Sequence, residues 1–388
     1  METNVTINLK NLESNAKAIC EKYSDYKYKI AVVKSNAYGH GYKVVNSFIK
    51  GGINYIAVSY LYEALEVRKQ NKTVPILCMQ PIDISKRKVA ILNDITLTVH
   101  TLEYLKDLVK DLDRKIKVHL KIDSGMNRLG FNNSSNFNEA YKLIENNKYI
   151  YLEGLYTHFA TTGIFDKNWD NQVEKFIDIT SSIDLDKIDI VHLYSSTSLL
   201  DHKKLDFANA FRVGISIYGY NVSPHYSNKG LKNKLRNIRN LYLRTKYNIS
   251  KVNYDVDIDL KRSMFMTTYI LQIKKVNKGE GVGYGLNPSK EDMLIAVLPI
   301  GYANGIGHDS GRYVIINDKK YYMVGSMSMN MMMIKIDDTV KIDDEVIVLG
   351  KNITLGEMAR FKKSQISEVL LDIGNNNIKK YTEESRWE

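Results

Sequence analysis

The stretch Ile30-Ala31-Val32-Val33-Lys34-Ser35-Asn36-Ala37-Tyr38-Gly39-His40-Gly41 is an apolar, β-branched run that ends abruptly in a lysine. Small and turn-forming residues follow. The pattern predicts a short buried strand, Ile30–Val33, opening into a loop. A lysine at the mouth of a buried strand is costly unless it is paired or covalently used. Burial lowers an amine's pKa and frees it to attack a carbonyl. A strand-end lysine can also reach out to solvent, so the stretch alone leaves both readings open.

Outward from this strand, short apolar runs recur at Tyr55–Ser59, Pro75–Met79, Ile95–Val99, Lys117–Ile122, Leu152–His158, Ile190–Tyr194 and Val213–Tyr218. Helical patterns lie between them, at Tyr60–Gln70, Leu102–Leu112, Phe137–Asn146 and Gln172–Ser182. Eight alternations of strand and helix predict an α/β fold, a parallel (β/α)8 TIM-like barrel. Chemistry in such barrels sits at the C-terminal strand ends, which is where Lys34 falls. After Tyr220 the pattern breaks. Residues 228–251 carry eight Lys or Arg and no Asp or Glu. Beyond them, Met266–Val276, Met293–Pro299, Tyr313–Ile316, Tyr321–Val324, Met331–Ile336 and Glu345–Leu349 predict a mainly-β, antiparallel C-terminal domain. Thr354–Ile373 predicts helix. The expected division is a barrel over 1–225, a basic linker over 226–260 and a β domain over 261–388.

Composition narrows the function classes. Hydrophobic residues make up 44% of the 388, enough for a sizeable core, and no apolar run of about 18 residues predicts a membrane helix. The N-terminus lacks a signal-peptide pattern. Cys20 and Cys78 sit in apolar surroundings, which predicts no disulfide framework and a cytoplasmic setting. The net charge of +11 comes mostly from scattered lysines, so neither nucleic acid nor membrane is expected as a partner. No metal site is expected. The basic stretch 228–251 reads as a surface extension or as an arm for an anionic partner.

The opening stretch resembles the cofactor-lysine motif of the alanine racemase family, with Ser35 in place of the commoner alanine. The resemblance implies pyridoxal 5'-phosphate as cofactor, held covalently by Lys34, with Tyr38 on its phosphate. Further strings carry the same resemblance. His119-Leu120-Lys121-Ile122-Asp123-Ser124-Gly125-Met126-Asn127-Arg128-Leu129-Gly130 resembles a second signature. There Arg128 inherits contact with the cofactor oxygen and the substrate carboxylate, which suits a planar fork. Lys121 matches a lysine that is often carbamylated. Thr157-His158-Phe159-Ala160-Thr161 implies that His158 packs by the cofactor ring, linked to the arginine on the ring nitrogen. Gln172 and Phe176 keep the helix pattern that follows. In His192-Leu193-Tyr194-Ser195-Ser196, Ser196 matches the phosphate serine and Ser195 replaces an asparagine.

Phe211-Arg212-Val213-Gly214-Ile215-Ser216-Ile217-Tyr218-Gly219 resembles the family's last barrel motif. Gly214 and Ile215 would offer backbone N–H groups to the phosphate. Arg212 would face the cofactor's pyridine nitrogen. An arginine stays protonated and donates no proton, so the ring remains a weak electron sink, which favours racemisation over transamination. In the C-terminal part, Gly279-Glu280-Gly281-Val282-Gly283-Tyr284-Gly285 implies that Tyr284 is the second acid–base, acting in a partner's site. Lys34 would serve the D side and Tyr284 the L side, and a His158–Arg212 pair would tune the tyrosine. Pro299-Ile300-Gly301-Tyr302-Ala303-Asn304-Gly305 places Tyr302 at the substrate entrance. Met329 keeps a substrate-binding backbone position.

The strings also depart from the family. Asn330 stands for an aspartate and Ser367 for a tyrosine of the pocket wall. An aromatic exchanged for serine opens space and adds a hydroxyl. The basic stretch is an expansion of roughly two dozen residues by motif spacing. The resemblance runs from Asn15 to about Glu368. It implies a homodimeric alanine racemase supplying D-alanine for cell walls. The alternatives are a serine or broad-specificity racemase of the same mechanism, and a non-catalytic pyridoxal phosphate carrier.

Overall fold

We describe a computed structural model over residues 3–162, 167–220, 258–285, 288–309, 311–350 and 352–384, together with 235, 238–239, 241–243 and 245–246. The basic stretch 228–251 therefore lies largely outside the described residues. Contacts divide the chain into two compact units. One comprises Glu13–Lys34 and Val45–Lys261, the other Met1–Leu12, Ser35–Val44 and Arg262–Glu388. The N-terminal residues thus group with the C-terminal part rather than with the barrel that follows them in sequence.

After β1 (Asn4–Asn8), eight strands form the first unit: β2 (Tyr28–Val32), β3 (Tyr55–Val58), β4 (Ile76–Cys78), β5 (Ile95–Val99), β6 (Ile116–Lys121), β7 (Ile150–Tyr156), β8 (Ile190–Tyr194) and β9 (Ala210–Val213). They close into a parallel barrel, β9 pairing back onto β2. Every residue of β3, β5 and β8 is buried, as expected where helices cover a parallel sheet and its interior is filled. The helices turn apolar stripes inward. Leu102–Val109 buries Leu102, Leu105 and Leu108, and its first turn is capped by the Thr101 hydroxyl, which accepts the Tyr104 N–H.

The eighth strand differs from its expectation. It ends at Val213, and the apolar run Ile215–Tyr218 is a buried 3-10 turn. Two bulges interrupt the barrel ladder. One skips Glu153, so that Val118 opposes Leu152 and His119 opposes Gly154. The other lies between His192 and Tyr194.

The second unit is built on a nine-stranded sheet. After β1 its strands are β10 (Met264–Thr268), β11 (Gln272–Val276), β12 (Met293–Leu298), β13 (Tyr313–Ile316), β14 (Lys319–Val324), β15 (Met332–Ile336), β16 (Val346–Leu349) and β17 (Lys379–Thr382). Their order is β11-β12-β15-β14-β13-β16-β10-β1-β17. Every pairing is antiparallel except β1 with β17. The expected single run Met266–Val276 is two strands, broken before Gln272. Helices Leu355–Lys362 and Ile366–Asn375 fill the predicted helical segment.

Candidate active site

Lys34 follows β2 directly. Its ammonium pKa is lowered, first by burial and then by the positive charge of Arg128, with Glu63 opposing. Among the described residues it has no ion-pair partner. The chain then makes a left-handed turn. Ser35, Asn36, Ala37 and Tyr38 have φ of 53°, 56°, 52° and 52°. Non-glycine residues in this region cost roughly 1–2 kcal/mol each, so the turn persists only because its surroundings over-determine it. The Asn36 amide donates to the Asn375 side chain at 2.9 Å, and the Gly41 N–H donates to the Asn36 carbonyl at 2.9 Å. His40 Nδ1 meets the Ala37 and Tyr38 carbonyls at 3.1 Å, and its Nε2 meets Ser263 Oγ at 3.0 Å. Gly39 packs against helix Ile366–Asn375. A Cβ on Gly374 would stand 2.1 Å from the Gly39 oxygen, closer than any side chain permits. Burial raises the Tyr38 phenol to about 12 and lowers the His40 imidazole to about 4.

The other barrel strand ends gather charge around Lys34. Lys121 is buried at the end of β6. Burial, then Arg212 and Arg128, lower its pKa to about 7. Asp123 fixes the loop that follows. Its carboxylate accepts the N–H groups of Gly125, Asn127 and Arg128 at 3.1, 2.9 and 2.8 Å, a structural task that explains the residue without a catalytic one. Burial pushes Asp123 up, but these bonds outweigh it and hold the group below its ordinary value. The Arg128 side chain is left exposed. His158 is lowered to about 3 by burial and then by Arg212, Lys121, Arg128 and Lys34. At pH 7 it is a neutral imidazole among cations. Gln172 closes the loop after His158, accepting the Ala160 N–H at 2.6 Å and donating to the Asn168 carbonyl at 2.8 Å.

Arg212 is 3% exposed, on β9. Its Nη1 donates to His192 Nδ1 at 2.8 Å and to the His192 carbonyl at 2.5 Å. Its Nη2 donates to the carbonyls of Thr157 at 2.7 Å and Leu193 at 3.4 Å. The expected bonding partner was His158. The geometry assigns that place to His192, whose buried ring accepts the Arg212 N–H, while His158 only feels the Arg212 charge. Burial lowers the Arg212 guanidinium to about 10, still protonated at neutral pH. Ser196 Oγ accepts the Gly214 N–H at 2.9 Å, so these two expected phosphate residues sit together. Gly214 opens the turn Ile215–Tyr218, whose first N–H groups have no intrahelical partner.

These residues fit pyridoxal phosphate. Ser216 Oγ, in the same turn, is buried with no hydrogen-bond partner, a donor beside a serine hydroxyl and a helical-turn N-terminus. That set suits a phosphate, and the half-buried amine of Lys34 suits a carbonyl carbon. Tyr38, Tyr284, Tyr302 and Met329 belong to the other unit. Tyr284 is 72% exposed, Met329 54% and Tyr302 41%. The Tyr302 and Met329 loops are tied together, for the Ala303 N–H donates to the Met329 carbonyl at 3.0 Å and the Tyr302 N–H to that of Ser328 at 3.2 Å. Ser367 is half-buried on helix Ile366–Asn375 and Asn330 is exposed. Sequence reasoning missed His119, Glu153 and the part played by His192. No periodicity marks them, and only their convergence inside the barrel does.

Comparison with known proteins agrees with this assembly. Residues 7–222 match the family model for the alanine racemase N-terminal domain, and 263–381 match that for the C-terminal domain. Alanine racemase of Borreliella burgdorferi is 31% identical over 388 residues, covering 97% of this chain and 96% of its own. That of Lactobacillus acidophilus is 30% identical, covering 90% and 88%. Among solved structures, alanine racemase from E. faecalis superposes with a TM-score of 0.86 at 27% identity, covering 98% of each chain. A histidine racemase from Leuconostoc mesenteroides shares the fold, with a TM-score of 0.81 at 22% identity and the same coverage. With both domain models matched, and with a closed barrel that carries a half-buried lysine after its first strand and a buried arginine on its last, the chain belongs to the alanine racemase family.

Proposed function

We propose that the protein interconverts L- and D-alanine with pyridoxal phosphate, supplying D-alanine for cell-wall synthesis. The observation behind this reading is an amine of lowered pKa just after β2 and a buried arginine, held by His192, on the neighbouring barrel strand β9. Pyridoxal phosphate, when bound, supplies an electron-withdrawing ring that acidifies the substrate Cα–H. Lys34 holds the cofactor and moves the proton on the D side. Tyr284 moves it on the L side, in the site of a second copy of the chain. Its exposure, with that of Tyr302 and Met329, leaves these groups available to a partner in a homodimer. Arg128 and the Met329 backbone bind the substrate carboxylate. Ser196, Gly214, Ile215 and Tyr38 bind phosphate.

Arg212 would hold the ring nitrogen by a hydrogen bond without passing it a proton, because a guanidinium donates a hydrogen bond and not a proton. With such a partner the bound ring would be a weaker electron sink, which would favour return of the proton to Cα over transamination. Lys121, converted by CO2 to a carbamate, would turn a cation wedged beside Arg128 and Arg212 into their counter-ion.

A serine or broad-specificity racemase is the second reading. Ser367 and Asn330 favour it, because they remove an aromatic and a charge from positions expected to line the pocket. Cα deuterium exchange on a panel of L-amino acids, with added pyridoxal phosphate, tests both. Fast exchange into alanine alone supports the first reading. Equal or faster exchange into serine supports the second. No exchange into any amino acid overturns both.

A further inference from the structure

The core of a parallel barrel is ordinarily filled by layers of Val, Ile and Leu drawn from alternate strands. Here one layer holds Tyr55 on β3, Thr96 on β5 and Glu153 on β7. Glu153 Oε2 accepts hydrogen bonds from the Tyr55 hydroxyl at 2.6 Å, Thr96 Oγ1 at 3.0 Å and His119 Nε2 at 3.0 Å. His119 Nδ1 stands 2.8 Å from His192 Nε2, and His192 Nδ1 accepts from Arg212. Both rings are 0% exposed.

The donors and acceptors admit one arrangement. Arginine has no acceptor, so His192 Nδ1 carries a lone pair and its proton sits on Nε2. That proton must be accepted by His119 Nδ1, which puts the His119 proton on Nε2, facing the carboxylate. The chain runs one way, Arg212 to His192 to His119 to Glu153, from a cation to an anion through two neutral rings. Burial pushes the Glu153 carboxyl up, but the bonds from His119, Tyr55 and Thr96 outweigh it and hold the group at about 2. Burial keeps both imidazoles below their ordinary value.

Four features show that this chain is built. The β7 bulge inserts Glu153 and turns it inward, a known use of bulges beside active sites. Gly154 clears room for the imidazole, because a Cβ there would lie 2.8 Å from His119 Cε1. The second bulge adjoins His192. The Tyr156 ring stacks on His192 with centroids 4.7 Å apart and an interplanar angle of 15°. A polar chain in a barrel core costs stability unless every member is satisfied, and here every ring nitrogen is.

We propose that Glu153, acting through His119 and His192, is a positioning residue for the racemase, supplying the part-buried counter-charge that orients the hydrogen-bond chain and fixes the Arg212 guanidinium. The proposal rests on the role given to Arg212 above. Without the carboxylate the His119 proton has no fixed acceptor. Both rings are then free to exchange tautomers, and Arg212 loses its one side-chain partner whenever His192 Nδ1 is protonated.

Glu153→Gln in the pyridoxal-phosphate-loaded enzyme tests this, with nitrogen-15 NMR of the imidazoles read in the same samples. The wild type should show His119 and His192 protonated at Nε2 and bare at Nδ1. In Glu153→Gln both histidine signals should shift, and kcat should fall at least roughly tenfold in both directions with KM changed less than about threefold, at wild-type cofactor content. A variant with wild-type kcat and unshifted histidines overturns the proposal. So does a wild type in which His192 is protonated at Nδ1, a result that needs no variant to fold. If the wild type binds cofactor but exchanges no substrate hydrogen, the racemase reading fails instead, and the nitrogen assignments still decide whether the chain exists.

Discussion

Arg212 Nη1 meets His192 Nδ1 at 2.8 Å, inside a barrel that leaves Arg212 only 3% exposed. The guanidinium also satisfies three backbone carbonyls, so its fork ties β8, β9 and the end of β7 together. Arg212→Ala strands these groups, and truncating one partner of a buried charged network costs roughly 3–5 kcal/mol. Arg212→Lys keeps the charge but cannot span the same acceptors. We expect urea unfolding to show a loss of that order for the alanine variant and a smaller one for lysine. Both variants should show a raised ratio of transamination to racemisation. A lysine variant with wild-type stability and wild-type product ratio would remove the fork from the argument.

Tyr284, at 72% exposed, has little packing to lose. Tyr284→Phe should change stability by no more than about 0.5 kcal/mol and leave cofactor capture by Lys34 intact. Racemisation should fall by roughly 10²–10⁴. The loss should be one-sided. Hydrogen exchange from L-alanine should stop while exchange from D-alanine, served by Lys34, continues. Equal loss on both sides would contradict the two-base assignment.

Lys121 titrates near neutrality because burial, then Arg212 and Arg128, disfavour its charged form and lower it to about 7. A sizeable neutral fraction at pH 7–8 is the nucleophile that CO2 needs. With ¹³C-bicarbonate present, carbon NMR should show a carbamate resonance that Lys121→Ala lacks. If the resonance persists in that variant, or appears in neither protein, Lys121 is a plain lysine held between arginines.

Among the described residues, five histidines are depressed below their ordinary value: His40, His100, His119, His158 and His192. For a base lowered on folding, the stabilising contribution is complete above the unfolded value, about 6.5, and is lost as the pH falls. Below that point the unfolded chain takes up protons that the native one refuses, down to about 4 for His40 and about 3 for His158. Each such group steepens the fall by up to ~1.4 kcal/mol per pH unit. Melting temperature should therefore fall between pH 6.5 and 4.5, with proton uptake on unfolding. A flat profile over that range would mean that these rings are solvated.

Ala37 is fully buried at a φ of 52°. A β-branched side chain tolerates that region poorly. Ala37→Val should destabilise the fold by at least roughly 2–3 kcal/mol and weaken cofactor capture, whereas Ala37→Gly should do neither to that extent. Chemical denaturation and cofactor absorbance together check this.

The barrel was legible because its strands are covered on both faces, so each reads as an uninterrupted apolar run. Tyr55–Val58 and Ile95–Val99 were readable for that reason. The eighth strand misled because the buried turn Ile215–Tyr218 is as apolar as a strand, and only Gly214 marks the break. β1 and β17 went unseen. Each is a short strand whose partners lie hundreds of residues away, and no local pattern records such pairing. The site residues carried by strings were legible as strings, but their partners were not. His158 stood in for His192 as the mate of Arg212, since adjacency inside a barrel follows strand order and stagger rather than motif spacing. Glu153 was invisible because a bulge, not an alternation, turns it inward.

The turn after Lys34 sets a filter on the alphabet that the chain may use there. Ser35, Asn36 and Ala37 share no chemistry, yet each is short enough to sit where the backbone winds against its natural hand, and only Tyr38 carries a large side chain through the same winding. Much of what makes this stretch recognisable is therefore a matter of torsion and not of reactivity. A search for new members by side-chain function would weigh the wrong letters, while a designer moving Lys34 to another scaffold would have to carry the reversed winding with it.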